Sequence, residues 1–110
     1  MNRKVPLHIR KLMKELKEGL VGIYGDKLKA VYLYGSYARG DYRQGSDVDV
    51  MILLSDYRNY WEGLRRSTEL ASDISLEYDV TVSRLIMKEI QWKESDMPVL
   101  RNIHKEGVPA

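Results

Sequence analysis

The chain has 110 residues, 44% of them hydrophobic and 31% charged, with 18 basic and 16 acidic side chains for a net charge of +2. That balance suits one globular domain over residues 1–110, excludes a disordered chain, and gives no general drive toward nucleic acid, so direct nucleic-acid binding is not expected. With no cysteine, disulfides, thiolate metal sites and cysteine nucleophiles are excluded. No apolar run nears membrane-spanning length and no signal-peptide core opens the chain, so the expected location is the cytoplasm, away from membranes.

In chain order, Val5, Ile9, Leu12, Met13, Leu16, Leu20 and Ile23 recur at three- to four-residue steps. This predicts an amphipathic helix over 5–24, with Pro6 tolerated in its first turn. Arg10, Lys11, Lys14, Glu15, Lys17 and Glu18 fall on its other face, which reads as solvated rather than as a partner or RNA contact. Gly25-Asp26 punctuates the chain, and Lys29–Tyr34 reads as a first strand ending at Gly35. Tyr37–Arg39 is expected as a helical turn, followed by a polar loop through Gln44-Gly45-Ser46. The second strand is Asp47–Leu54, with Val48, Val50, Ile52 and Leu54 on the buried face and Asp47, Asp49 and Met51 on the other.

Ser55 or Asp56 is the expected N-cap of a helix over 57–72, with Tyr60, Trp61, Leu64 and Ala71 on its core side. Leu76–Met87 reads as a third strand that aligns Asp79, Thr81 and Ser83 on one face. A short helical turn over 88–93 follows, and Met97-Pro98 opens a last helix carrying Val99, Leu100 and Ile103 and stopping at Gly107. The expected fold is α/β (α+β): a small sheet covered by helices mainly on one face, with the acids on the open one.

The chemistry concentrates in residues 30–54. Asp47 and Asp49 share a strand face roughly 6.5–7 Å apart. Two carboxylates held so close repel unless a cation lies between them, and Mg²⁺ takes such oxygens together with water and substrate phosphates. Gly35-Ser36, where a strand breaks into a turn, offers backbone N–H groups and a hydroxyl to phosphate oxygens. Two divalent ions need about three carboxylates, and Asp79 is the expected third, with Glu77 as the fallback. Arg39 is the candidate phosphate clamp, its planar fork suiting phosphate oxygens, and Arg43 is a weaker one. His8 and His104 lack metal-ligand spacing, and neither a Walker-type loop nor a Ser-His-Asp ordering is present.

Gly35-Ser36, ten residues, then Asp47-x-Asp49 resembles the signature of the DNA polymerase β-like nucleotidyltransferase superfamily. The stretch is most similar to its smallest branch, the minimal nucleotidyltransferases of toxin–antitoxin pairs. The resemblance implies a mixed sheet whose first two strands pair antiparallel, and a third strand acid, carried here onto Asp79. It also implies Mg²⁺, ATP as substrate, and a HEPN-domain toxin as partner. The implied reaction transfers AMP to a tyrosine of that toxin and silences it. A chain this short has no room for an appended acceptor domain, so the partner is expected to supply the acceptor surface. The alternative is a binding antitoxin that neutralises its toxin by covering it.

Overall fold

The computed structural model describes residues 4–110, so the first three positions of the expected domain lie outside the described residues. Helix α1 spans Leu7–Tyr24 and buries Ile9, Leu12, Met13, Leu16 and Leu20, the predicted stripe. A 3₁₀ turn at Gly25–Lys27 leads into β1, Leu28–Tyr34, and then into the single turn α2, Ser36–Arg39. Strand β2 is Val48–Leu54; α3 is Tyr60–Arg65 and α4 is Thr68–Tyr78. Strand β3, Val82–Lys88, is followed by α5 (Glu89–Glu94), α6 (Pro98–Glu106) and β4 (Val108–Pro109).

The sheet is four-stranded and mixed, in the order β3-β2-β1-β4. β1 pairs antiparallel with both β2 and β4, as the resemblance implied for the first two strands. β2 pairs parallel with β3, which requires a crossover; α3 and α4 supply it.

Each face of the sheet has its own core. On one, Val31, Leu33, Val48, Val50, Ile52, Leu54 and Ile86 pack with the α1 stripe and with Ala71 and Ile74 of α4. On the other, Met51, Leu53 and Met87 join Leu100 and Ile103 of α6, with Trp92 of α5 at the border. The acid-bearing face is therefore not open along its length. Met51 and Leu53 continue the alternation begun by Asp47 and Asp49, and two such apolar side chains demand cover. Along β2 this face is buried at Met51 and Leu53 and becomes accessible at the end carrying the acids.

Two expected elements differ. The helix predicted over 57–72 is broken at Arg66-Ser67, and its N-cap is Asn59, whose side chain accepts from the Glu62 N–H at 3.1 Å. Tertiary donors take the carbonyls at the break. The Tyr24 hydroxyl donates to Gly63 O at 2.6 Å, and Arg84 Nη1 donates to both Leu64 O and Ser67 Oγ at 2.7 Å. Trp61, expected on the core side, lies in the first turn of α3 and is 71% exposed.

The strand predicted over 76–87 is helix in its first part. α4 runs to Tyr78, Leu76 is exposed, and Asp79 closes the helix in the left-handed region at φ 53°. Val80 N–H then donates to Ser75 O, a helix-ending pattern in which Asp stands where glycine is commonest. Residues 76–78 thus follow the helix period, and the alternation begins only at Val82.

Candidate active site

β1 ends on Tyr34, which lies opposite Asp49 in the β1–β2 register. The next residue, Gly35, takes φ 74°, and a Cβ there would fall 2.2 Å from Asp49 Oδ2. The turn and the carboxylate are thus pressed together in a way that only glycine permits. The Ala38 and Arg39 N–H groups donate to Gly35 O, fixing the turn that presents Ser36. Asp47 precedes β2 and Asp49 is its second residue, so the two carboxylates share a face at the strand's open end.

These residues line a cavity of about 690 Å³. Its sheet-side wall is Tyr34, Gly35, Ser36, Arg39, Asp47 and Asp49, with Gly45 and Ser46 at the edge. The facing wall is α6, through Val99, Asn102 and Glu106. Burial pushes the Asp49 carboxyl above its usual range, the neighbouring charge of Asp47 adds to this, and Arg39 opposes it. Burial likewise raises the Tyr34 phenol, with Asp49 contributing. Arg39 is tied at both ends of its guanidinium: Nε donates to Asp41 Oδ2 at 3.2 Å and Nη1 to Glu106 Oε1 at 3.1 Å.

Of the six residues singled out in the sequence, Gly35, Ser36, Arg39, Asp47 and Asp49 meet in this cavity. Asp79 does not line it. As the closing residue of α4 it lines a separate hollow of about 390 Å³ with His8, Tyr37, Tyr78 and Thr81, on the other side of the Gly45-Ser46 loop that borders both. The strand position beside Asp49 is Ser83, because β3 starts at Val82 rather than at residue 76. Glu77 sits on α4, where a hydrogen bond with Glu15 of α1 raises its carboxyl, so the fallback acid also faces elsewhere. Arg43 is not among the lining residues.

The model of the family described as Polymerase beta, Nucleotidyltransferase matches residues 14–108, nearly the whole chain. The chain belongs to the polymerase beta nucleotidyltransferase family. A Methanocaldococcus jannaschii protein with the provisional name protein adenylyltransferase MJ0141 is 42% identical over 83 residues, covering 76% of this chain and 83% of its own. The protein adenylyltransferase MntA of Shewanella oneidensis is 28% identical over 67% of this chain, which spans half of that protein. A crystal structure of a mutant toxin–antitoxin complex containing MntA superposes with a TM-score of 0.58 at 25% identity, covering 96% of this chain and 72% of that one. A structure described as a minimal nucleotidyltransferase shares the fold over 99% of this chain and all of its own, with a TM-score of 0.59 at 21% identity.

In this nucleotidyltransferase the donor set can be weighed against the divalent ion the family implies. Asp47 and Asp49 fit a hard cation: both offer oxygens on one face, and the Asp49 carboxyl is raised first by burial and then by the charge of Asp47, both of which a cation offsets. Among the described residues, however, no three His, Cys, Asp or Glu side chains gather into a metal-holding group. The residues therefore suit an ion shared with substrate phosphates, not a cage built from protein alone.

Tyr34 and the α6 wall were missed in the sequence. Val99, Asn102 and Glu106 fall at i, i+3 and i+7, one stripe of the last helix beside the Leu100–Ile103 core stripe. That spacing was readable, but nothing local says that α6 crosses the acid end of the sheet.

Proposed function

We propose that the protein is an adenylyltransferase that moves AMP from ATP to a hydroxyl of a partner protein, the partner being a HEPN-domain toxin and the acceptor a tyrosine. The contact between the Gly35 turn and Asp49 carries this reading, because it brings a phosphate-holding bend and a carboxylate pair to one spot. Relatives named protein adenylyltransferases, and the likeness to an MntA-containing toxin–antitoxin complex, support the acceptor class.

In this mechanism the Gly35-Ser36 turn holds β- and γ-phosphate oxygens, and Arg39, keeping its bonds to Asp41 and Glu106, donates to them from its remaining guanidinium nitrogen. Asp47 and Asp49 would hold Mg²⁺, which when bound supplies charge neutralisation at the phosphates and lowers the barrier to displacement. The acceptor oxygen forms a bond to the α-phosphorus while the α–β phosphoanhydride bond breaks. Pyrophosphate leaves, and the hydroxyl proton passes to solvent.

A second reading, a binding antitoxin that covers its toxin without chemistry, draws support from two observations. Among the described residues, only two carboxylates face the cavity free of a basic partner, and Arg39 is already neutralised by Asp41 and Glu106. The deciding experiment incubates the chain with its partner, Mg²⁺ and ATP labelled at the α-phosphate, beside Asp47→Asn. Acceptor labelling that drops at least about 10²-fold in the variant supports transfer. No labelling, with the toxin still inhibited by Asp47→Asn, supports the binding module.

A further inference from the structure

The cavity has two chemically unlike walls. The sheet-side wall holds everything suited to phosphate and cation: Gly35, Ser36, Arg39, Asp47 and Asp49. The α6 wall offers Val99, which is partly buried among apolar neighbours, and the Asn102 amide; Glu106 is closed off by its bond to Arg39. With phosphates against the first wall, the heterocycle of a nucleotide is left to face the second. At about 690 Å³ the cavity lies in the range that takes a ligand of nucleotide size.

Asn102 is the unusual feature of that wall. It lines the cavity, is exposed, and has no hydrogen-bond partner among the described residues, beside a core stripe of Leu100 and Ile103 on the same helix. Leu100 and Ile103 seat α6 on the sheet, the Arg39–Glu106 bridge ties its last turn to α2, and β4, immediately after Gly107, pairs with β1 at Leu33↔Val108. A helix seated this way fixes the backbone position from which the amide reaches into the cavity. An Asn amide carries one donor and one acceptor in a single plane. That pair matches the N7 edge of a 6-aminopurine, an acceptor ring nitrogen beside the amino donor, and opposes the same edge of a 6-oxopurine, where N7 and O6 are both acceptors.

We propose that Asn102 is the base-reading residue of this site and selects a 6-aminopurine nucleotide over its 6-oxo counterpart, with Val99 packing on the ring. The proposal rests on the nucleotidyltransferase reading of the cavity and adds to it the residue that sets base preference. ATP and ITP form a suitable probe pair, because they share sugar, phosphates and ring system and differ at position 6.

The test measures Mg²⁺-dependent binding of ATP, ITP and tripolyphosphate to the full chain by calorimetry, in wild type and Asn102→Leu. An exposed leucine at this position is compatible with the fold, and thermal melts check this. The expected result is ATP preferred over ITP by about 5- to 150-fold in wild type, a ratio near one in Asn102→Leu, and unchanged tripolyphosphate affinity. Three results overturn the assignment: equal ATP and ITP affinity in wild type, a ratio that survives in Asn102→Leu, or a parallel loss of all three ligands in the variant. A wild-type chain that binds neither nucleotide nor tripolyphosphate removes the nucleotidyltransferase reading as well, and so is distinguishable from failure of Asn102 alone.

Discussion

Gly35 bears the tightest constraint of any single residue in the site. Its φ of 74° already disfavours a side chain, and the Asp49 carboxylate occupies the place a Cβ would take. Gly35→Ala is expected to cost about 1–3 kcal/mol in denaturant unfolding from backbone strain alone, and to displace the Asp49 carboxylate so that Mg·ATP binding is lost with it. A variant with wild-type affinity would show that the contact does not matter to the ligand. Asp49 offers a pH test. Burial and Asp47 raise its folded pKa, so at neutral pH its charge opposes folding, and protonation relieves this as pH falls through the raised value. Asp49→Asn removes the penalty. Its Tm is expected to exceed wild type at neutral pH, with the gap closing toward about pH 4, as thermal melts across that range will register.

Among the elements, the α3–α4 break depends on β3. Arg84 reaches across to the Leu64 carbonyl and to Ser67 Oγ, and Ser67 is fully buried. Arg84→Ala leaves these acceptors short of a charged donor and is expected to destabilise the fold by about 1.5–3 kcal/mol in urea titrations. The closing residue of α4 bears on catalysis instead. Because Asp79 lines the hollow beyond the Gly45-Ser46 loop, Asp79→Asn is expected to change AMP transfer by no more than about twofold, against the large loss expected for Asp47→Asn. A loss in Asp79→Asn equal to that in Asp47→Asn would return residue 79 to the catalytic set.

For the whole molecule, two cores of unequal size enclose one sheet, and their mismatch creates the site. The larger core holds the sheet rigid, while the smaller one stops short of the acid end, where α6 crosses and leaves a cavity instead of packed side chains. No described helix is long and apolar enough to cross a membrane. The described face that a protein acceptor would approach is the mouth of this cavity, between the strand ends and α6. A charge reversal there, Glu106→Arg, breaks the bridge to Arg39 and loosens α6. It is expected to weaken ATP binding more than tripolyphosphate binding, since α6 carries the base wall; competition titrations with the two ligands measure the difference.

The strand–turn–strand of residues 28–54 was legible because its signals are local: β-branched runs, a glycine that must take positive φ, and two acids on one strand face. For the same reason α1 and α6 could be read, and five of the six candidate residues named from the sequence line one cavity. Residue 79 was misplaced because the alternation read backward from Val82 competes with a helical continuation of α4, and only the left-handed turn at Asp79 decides between them. The break at Ser67 and the cover over Met51 and Leu53 were hidden as well, since Arg84, Tyr24 and α6 come from distant parts of the chain. Sequence alone thus determined that a glycine-serine turn ends one strand and two same-face acids open the next, because turn chemistry and side-chain alternation act over a few residues. Tertiary packing alone decided how many carboxylates share the cavity and what stands opposite them, because those depend on where a helix ends and which sheet face the last helix crosses.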